Sequence, residues 1–455
     1  MIDALDTIVA ISTPPGKGGI GVIRLSGADS LCLAMSLSQD IKFSLEPNRV
    51  VLKNIYDPES SQQLDQCLIS YFKAPYSFTG EDVVELSCHG SPVLLLNVLD
   101  TLLRLGARAA GPGEFTMRAV SNGKLNLSQA EAIRDLIEAQ TKGALRQAAR
   151  QLNGELSRRL QPVKDVLIRI IVQLESSLEF VEDDLPQIGY DKICYQLSSL
   201  INELSNLTNT FRLGNALKNG LRVTLVGRPN VGKSSLFNKL LSYDRAIVTP
   251  VPGTTRDSLT ETVTINDIPI VLTDTAGIHY SSDLVEAMGI EKTRQALADA
   301  DLVVLVCDGT QLLTKEDKDV FSEVSSANYL VVLNKSDLES FSMLNINNDF
   351  FVRALPVSAK TGEGLDNLRS SIIASYTFKD LDSNSFLITN ARHFELLGRS
   401  AIAMHSSMNL INQNANEDLI LIGLYDTLHF LGEITGETTT EDILSDIFST
   451  FCIGK

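Results

Sequence analysis

The sequence predicts a multidomain fold in which an α+β N-terminal domain is followed by a helical domain that contains an inserted α/β domain. The chain has 455 residues, about three times the size of an average domain. Its hydrophobic period changes from short strands to helices, and a segment of alternating strands and helices lies between two helical stretches. We prefer an insertion to four consecutive domains, because the C-terminal helices would otherwise have to form a core alone.

The N-terminal domain, which we place at residues 1–121, consists of short strands separated by turns. Apolar runs bounded by Gly, Pro, Asn and Asp predict strands at residues 20–25, 50–55, 67–72 and 83–88 and a helix at 93–105. Residues 13–19, Thr-Pro-Pro-Gly-Lys-Gly-Gly, lack the spacing of a phosphate-binding loop, so we interpret them as a tight turn.

Two helical segments, at residues 122–215 and 379–455, form the predicted helical domain. Ser128 and Glu131 have the spacing of a capping box, which predicts that a helix begins there. The helical period continues past Gly154 and Pro162 and resumes at residues 191–211. The C-terminal stretch is helical from residue 386 to 451, with turns at 412–416 and 436.

Composition limits the location and the partners of the protein. No apolar run reaches the roughly 18 residues of a membrane span, and the six scattered cysteines form no zinc-binding pattern. We therefore expect a reduced, cytoplasmic protein without a targeting segment.

The net charge of −17 disfavours nucleic-acid binding unless basic residues are concentrated locally. One basic stripe exists, and a solvated helix face is its simplest interpretation, with phosphate contact as the alternative. It comprises Lys142, Arg146, Arg150, Arg158 and Arg159.

A phosphate-binding loop opens the inserted domain, which we place at residues 216–378. Residues 227–234, Gly-Arg-Pro-Asn-Val-Gly-Lys-Ser, match G-x-x-x-x-G-K-[ST] between a predicted strand at 222–226 and a helix at 235–241. Backbone N–H groups of such a loop hold phosphate oxygens, Lys233 adds positive charge, and the Ser234 hydroxyl can ligate Mg²⁺. This context predicts a nucleoside triphosphate site.

Three further motifs at strand ends predict that the nucleotide is GTP. Residues 274–277, Asp-Thr-Ala-Gly, place a carboxylate near the metal and a glycine N–H near the γ-phosphate. Residues 334–337, Asn-Lys-Ser-Asp, supply Asp337, whose carboxylate can accept the guanine N1–H and amine protons together. Residues 358–360, Ser-Ala-Lys, would cover the base. Between the phosphate-binding loop and Asp274, residues 253–257, Gly-Thr-Thr-Arg-Asp, predict a switch that orders on GTP.

The residue that orients the attacking water is not evident from the motifs. Many small GTPases use a glutamine directly after the glycine of the Asp-x-x-Gly motif, but Ile278 stands there. Asp283, Glu286 and Glu291 are the nearby carboxylates, and the residue pattern alone does not choose among them.

The whole chain resembles the MnmE (TrmE) family of tRNA modification GTPases. The matching residues are 7–10 (Thr-Ile-Val-Ala), 13–16 (Thr-Pro-Pro-Gly), 77–82 (Ser-Phe-Thr-Gly-Glu-Asp), 112–116 (Pro-Gly-Glu-Phe-Thr), the inserted GTPase and the terminal 451–455 (Phe-Cys-Ile-Gly-Lys). The resemblance implies a tetrahydrofolate-binding, dimerising N-terminal domain and hence a homodimer. It also implies a heterotetramer with the FAD-dependent subunit MnmG (GidA). This complex would use 5,10-methylene- or 5-formyltetrahydrofolate to add an aminomethyl or carboxymethylaminomethyl group to C5 of the wobble uridine U34 of tRNA.

The resemblance also assigns site residues. It places folate contacts at Arg24, Glu81, Lys124 and Lys455, and a thiol important for the modification at Cys452. It assigns Mg²⁺ to Ser234 and Thr255, and K⁺ to Asn230, Thr249, Val251 and Thr254. Glu286 becomes the water-orienting residue. Together with the motifs, the GTP contacts are Asn230, Val231, Gly232, Lys233, Ser234, Ser235, Thr249, Thr254, Thr255, Asp274, Thr275, Ala276, Gly277, Asn334, Lys335, Asp337, Ser358, Ala359 and Lys360.

Two other functions remain open at this stage. A ribosome-assembly or other translation-associated GTPase would need an RNA-binding module, and no G-x-x-G clamp in a suitable context follows Lys360. A folate-dependent one-carbon transferase gated by GTP would differ in whether its reaction requires GTP hydrolysis. Cys88 and His89 do not suggest a third function, because neighbouring residues of a strand point to opposite faces.

Overall fold

The structure, a computed structural model, describes residues 6–39, 44–179, 189–243, 259–274, 297–343, 354–374, 385–438, 444 and 447–454. The chain forms two compact units. The first comprises residues 1–134, 151–165 and 428–455, and the second comprises residues 135–150 and 166–427. The three domain boundaries expected from the sequence, after residues 121, 215 and 378, remain predictions.

A six-stranded sheet forms the framework of the first unit. Its strands are β1 Ile8–Ile11, β2 Gly21–Ser26, β3 Val50–Tyr56, β4 Gln63–Phe72, β5 Val83–Cys88 and β6 Arg108–Ala109. They lie in the order β3-β4-β5-β2-β1-β6, and all neighbours are antiparallel except β1 and β6. The four predicted strands are confirmed, and the glycine-rich turn connects β1 to β2. The sequence patterns did not predict β1 or β6.

Helices account for most of the remaining described chain. In chain order they are α1 Ser30–Ser36, α2 Pro92–Arg104, α3 Glu114–Ser121, α4 Leu127–Glu138, α5 Lys142–Leu152, α6 Glu155–Glu179, α7 Tyr190–Asn209, α8 Phe211–Asn219, α9 Lys233–Tyr243, α10 Lys315–Val324, α11 Leu365–Ala374, α12 Ala391–Asn412 and α13 Glu417–Thr435. Among the residues described, none of these helices combines the length and the hydropathy needed to cross a bilayer.

Each face of the first sheet buries a different apolar cluster. Ile23 and Leu25 of β2 pack in one core with Leu33 of α1 and Val98 and Leu102 of α2. The opposite face of β1 contributes Ile8 and Ala10 to a smaller cluster with Ala110 and Phe115. Strand residues therefore alternate between two buried environments, as the period of two requires.

The predicted capping box at Ser128 is wrong, because the helix begins earlier. Ser128 lies inside α4, and its hydroxyl donates to Asn126 Oδ1. The reciprocal bonds of the cap join Asn126 and Gln129: Gln129 N donates to Asn126 Oδ1 at 2.9 Å, and Asn126 N donates to Gln129 Oε1 at 3.1 Å. Asparagine is as effective an N-cap as serine, and here it precedes the first buried leucine of the helix.

The second unit contains the predicted α/β segment. Its strands are β7 Leu221–Val226, β8 Leu259–Ile265, β9 Ile268–Asp274, β10 Leu302–Asp308, β11 Tyr329–Asn334 and β12 Leu355–Pro356. They lie in the order β12-β11-β10-β7-β9-β8, and only β8 is antiparallel to its neighbour. Because the carboxyl ends of parallel strands share one edge, the loops after β7, β9, β10 and β11 meet there.

Candidate functional site

The phosphate-binding loop connects the end of β7 to the first residue of α9. Asn230 has φ +65° and Gly232 has φ +98°, so two backbone positions are left-handed. A Cβ at Gly232 would lie 2.2 Å from Asn334 Nδ2, which leaves no space for a side chain. The loop therefore depends on glycine at this position, and α9 begins directly after it with its N–H groups available for an anion.

Lys233 and Asp274 supply the two buried charges of this site. Lys233 is only 7% exposed, and its ammonium donates to the carbonyls of Gly227 at 2.7 Å and Arg228 at 3.0 Å. Burial lowers the pKa of Lys233, although the attraction of Asp274 opposes this effect. Asp274, the last residue of β9, is fully buried. A cation for phosphate and a carboxylate for a metal shell are thus in place, while the Ser234 and Ser235 side chains are exposed.

Asn334 joins three of the predicted nucleotide motifs. Its Nδ2 donates to the carbonyl of Val231 at 2.8 Å, and its Oδ1 accepts from the backbone N–H of Ala359 at 2.9 Å. The residue is 3% exposed. This side chain is therefore a buried link between the phosphate loop and the Ser-Ala-Lys loop, and it belongs to the guanine motif itself.

Asp337 is held as an ionised acceptor. Ser358 Oγ donates to Asp337 Oδ1 at 2.6 Å, and this bond is the main cause of the lowered pKa of Asp337. Ser358 also accepts from the N–H of Thr361 at 3.1 Å, so its hydroxyl proton is directed at the carboxylate. An ionised carboxylate fixed in this way suits the two donors of a guanine edge.

Several predicted residues lie outside the described part of the chain. They are Thr249, Val251, Thr254, Thr255, Thr275, Ala276, Gly277, Asp283, Glu286, Glu291 and Lys455. The switch at 253–257 lies there as well. Of the predicted potassium ligands, only Asn230 is described, and its left-handed backbone is the relevant observation.

In the first unit, three of the four predicted folate residues meet at one loop, residues 75–81. The guanidinium of Arg24 lies 5.8 Å from the Phe78 ring centroid and equally far from that of Phe115. Lys124 Nζ donates to the carbonyl of Pro75 at 2.9 Å. The third residue, Glu81, belongs to the loop itself. Phe115 is fully buried and Arg24 also pairs with Glu85 at 2.8 Å, so Lys124 and the Phe78 ring are the exposed groups here that suit a planar heterocycle carrying carboxylates.

Glu81 is engaged by a buried charge network that the sequence did not reveal. It accepts from Ser26 Oγ at 2.7 Å and from Arg118 Nη1 at 3.1 Å. Arg118 is 5% exposed and also pairs with Asp6 at 2.7 Å and with Glu114 at 3.1 Å. Burial opposes the charged form of Glu114, but hydrogen bonds from Arg108, Gly111 and Arg118 outweigh it and lower its pKa. The contact of Glu81 with folate stays a prediction.

The C-terminal motif packs on the same unit. Phe448 and Phe451 pack against Leu127 and Ala130. The Gly113 N–H donates to the carbonyl of Cys452 at 3.3 Å, and Pro112 and Ile453 form an antiparallel bridge. The carbonyl of Gly454 accepts from Ser12 Oγ at 3.1 Å and from Arg24 Nη1 at 3.5 Å. The tail therefore lies beside Arg24, with the Cys452 side chain exposed.

The interpretation of Cys88 and His89 agrees with the structure. Cys88 is buried beside Cys67, which together with burial raises its pKa, whereas His89 is exposed and pairs with Asp65 at 2.7 Å. The two neighbours thus point apart and form no dyad. Cys307 is fully buried.

Two acidic residues of the nucleotide region were missed. Asp308 ends β10 and Asp317 lies in the first turn of α10. The one available sequence signal is the Thr-x-x-Asp spacing of Thr314 and Asp317, which is typical of a helix N-cap and concerns Asp317 alone.

Comparisons with known proteins agree with the motifs. The family model described as "GTP-binding protein TrmE N-terminus" matches residues 7–124, and the model described as "MnmE helical domain" matches residues 127–452. A tRNA modification GTPase MnmE of Koribacter versatilis is 45% identical over 453 residues, which cover 99% of each chain. Its Aquifex aeolicus counterpart is 39% identical over 451 residues, covering 99% of this chain and 100% of its own.

Among solved structures, Aquifex aeolicus Era bound to GDP·AlF₄⁻ is 26% identical, with a TM-score of 0.29 over 40% of this chain and 66% of its own. The identities to the two whole-length relatives, rather than this local likeness, decide the family. The chain belongs to the MnmE (TrmE) family of tRNA modification GTPases.

Proposed function

We propose that this chain is the GTP-hydrolysing, potassium-dependent subunit of the complex that modifies C5 of the tRNA wobble uridine U34. It acts as a homodimer with the flavoprotein MnmG and uses a tetrahydrofolate one-carbon unit. The observation that carries the GTPase part is the position of Asn334, which links the phosphate loop to the loop beside Asp337. Membership of the family connects that GTPase to tRNA.

The residues around the phosphate loop fit Mg²⁺ and GTP. Ser234 at the start of α9 and the buried Asp274 offer the hard oxygen atoms that Mg²⁺ prefers. In this proposal Thr255 completes that set when GTP orders the switch. The metal, when bound, neutralises charge on the β- and γ-phosphates. Lys233 adds a second positive charge, and Asp337 selects guanine.

Hydrolysis also requires positive charge near the leaving oxygen and a water molecule oriented to attack the γ-phosphate. We assign the charge to K⁺ held by Asn230, Thr249, Val251 and Thr254, in place of an arginine finger. Glu286 orients the water, since Ile278 has no hydrogen-bonding side chain. Asn230 is the described member of this set; it lies in the phosphate loop with a left-handed backbone, and its amide oxygen is a group that can ligate K⁺.

The folate site lies in the N-terminal domain. Arg24, which also pairs with Glu85, and Lys124 are the cations for the ligand carboxylates, and the exposed Phe78 ring beside Arg24 offers apolar surface to the heterocycle. Lys455 would add a third cation, because the described tail ends at Gly454 next to Arg24. Cys452 is the exposed thiol of the same tail.

Mass analysis of wobble uridines tests the function. Cells that lack this protein should contain tRNA without the C5 group, and the wild-type chain should restore it. A phosphate-loop variant, Lys233→Ala, should not restore it if GTP hydrolysis is required. Complete retention of the group in the deletion strain would refute the function. Restoration by Glu286→Ala, a variant designed to bind GTP without hydrolysing it, would instead favour the GTP-gated one-carbon transferase.

A further inference from the structure

The connection between β10 and α10 carries two buried carboxylates to which no role in the nucleotide site has been assigned. Asp308 is the last residue of β10, and Asp317 is the third residue of α10. They are 7% and 3% exposed. Buried carboxylates are costly unless they are paired, so their partners indicate why they are there.

Asp308 holds the lysine of the guanine motif. Its Oδ2 accepts from Lys335 Nζ at 2.6 Å and from Gln311 Nε2 at 2.9 Å, while Oδ1 accepts from the hydroxyl of Thr310 at 2.6 Å. Burial raises the pKa of Asp308, but these bonds outweigh it and hold the pKa well below its ordinary value. Asp308 is thus a fixed negative charge at the strand edge.

Lys335 has an unusual backbone that this contact complements. Its φ is +72°, a left-handed conformation that non-glycine residues adopt mainly at turns and functional sites. A free lysine side chain has many rotamers, and fixing one of them costs conformational entropy. Because Asp308 already restrains the Lys335 ammonium, less conformational entropy is lost when the nucleotide binds.

Asp317 holds the phosphate loop in a corresponding way. Its Oδ1 lies 3.2 Å from Nε of Arg228, and its Oδ2 accepts from the N–H and hydroxyl of Thr314 at 2.9 and 2.7 Å. Arg228 Nε and Nη2 and Asp317 Oδ1 are buried and form no hydrogen bond among the described residues, so the two side chains interact through their charges at this distance. Asp317 is therefore the main compensation for the Arg228 charge, and the Arg228 carbonyl in turn accepts from Lys233.

We propose that the segment from Asp308 to Asp317 is a positioning element of the nucleotide site, which holds the guanine motif through Lys335 and the phosphate loop through Arg228. Both ends of one short connection are tied to loops at opposite ends of the nucleotide. The two carboxylates do not touch GTP. This inference rests on the proposed GTP function, and it adds Asp308, Asp317 and Arg228 as positioning residues.

Double-mutant cycles on the full chain test this role, with fluorescent N-methylanthraniloyl-GTP as the probe. Asp308→Asn and Asp317→Asn retain an oxygen for Thr310 and Thr314 but remove the charge. Each should raise the Kd for the probe about tenfold. In a Lys335→Met background, Asp308→Asn should change the Kd less than about twofold, because its partner is already absent. In an Arg228→Met background, Asp317→Asn should likewise change the Kd for the probe less than about twofold.

Asp319→Asn is the matched control, because Asp319 is exposed on α10 and the charge change is the same. It should leave the Kd unchanged. Asp308→Asn should also raise KM for GTP while kcat at saturation is retained. If an Asn variant does not fold, the Ser variant at that position replaces it in the cycle.

Additive losses in both cycles would overturn the positioning role, since a purely structural defect does not depend on Lys335 or Arg228. A wild-type chain that does not bind the probe would overturn both this inference and the proposed function. Binding by the wild type together with additive variants would overturn the inference alone.

Discussion

The placement of the C-terminal tail beside Arg24 depends on Gly454 more than on any other described tail residue. Its φ is +92°, and a Cβ there would lie 2.6 Å from the backbone carbonyl oxygen of Ile11. The Cβ is fixed by the Gly454 backbone and the Ile11 oxygen is itself a backbone atom, so no side-chain movement can relieve the overlap. We therefore expect Gly454→Ala to displace the tail from the sheet.

The cost follows from two contributions. A left-handed non-glycine residue costs about 1–3 kcal/mol. The overlap of the new Cβ with the Ile11 carbonyl oxygen adds to this strain. The strain alone, about 1–3 kcal/mol, lowers the docking equilibrium constant of the tail by about 5- to 160-fold, and the hydrogen bonds from Ser12 and Arg24 to the Gly454 carbonyl are lost in the displaced fraction.

Hydrogen exchange and folate binding measure this displacement. The Gly113 amide, which donates to the Cys452 carbonyl, should lose protection in Gly454→Ala, and the affinity for 5-formyltetrahydrofolate should fall. Gly106→Ala is the matched control, because Gly106 has φ +112° but no atom within 4 Å of a Cβ. Wild-type protection and wild-type folate affinity in Gly454→Ala would refute the reasoning.

Four other predictions concern nucleotide, pH, cations and tRNA. Asn334→Ala leaves the Val231 carbonyl and the Ala359 N–H without their bonds and should weaken GTP binding at least about tenfold in equilibrium titration; unchanged affinity would contradict the link. The pKa of Glu114 is below its ordinary 4.5, so its stabilisation of the first unit is complete above that value and is lost as the pH falls through the lowered pKa. Urea midpoints between about pH 6 and about pH 3 should show this, and Glu114→Gln should flatten the profile. GTP hydrolysis should be faster in K⁺ than in Na⁺ and should fail in Glu286→Ala; equal rates in both salts, or full activity of the variant, would remove the corresponding assignment. The isolated chain should bind tRNA weakly, with a shallow dependence on salt in filter binding.

Features encoded in a few consecutive residues could be predicted from the sequence. The phosphate loop, the order of the guanine motifs and four strands of the first sheet follow from local spacing and period. Strands β1 and β6 were missed because β6 has two residues, too few for a period, and its pairing with β1 joins residues 100 positions apart, such as Ile8 and Arg108. Such pairing is a property of the fold rather than of either segment.

The site residues that were missed depend on contacts between distant segments. Ser12 and Gly454 are separated by 442 positions, and Arg118 and Asp6 by 112. Asp308 and Lys335 are separated by 27 positions and lie at the ends of the parallel strands β10 and β11. Neither aspartate of the β10–α10 connection belongs to a recognised nucleotide-binding motif, and each contacts a residue of a distant segment, Lys335 or Arg228.

The chain is negatively charged, and so is tRNA, on which its family acts. Two arginines of the basic stripe pair with acids: Arg146 lies 3.0 Å from Asp267, and Arg159 lies 2.9 Å from Glu155. Exposed pairs of this kind contribute little to stability, but they cancel the local positive charge that phosphates would need. With a net charge of −17, few phosphates can be neutralised by this chain alone. Either a local basic surface of this chain or the proposed partner subunit must therefore supply the tRNA backbone contacts. We predict the partner, and a tight, steeply salt-dependent complex formed without it would contradict that prediction.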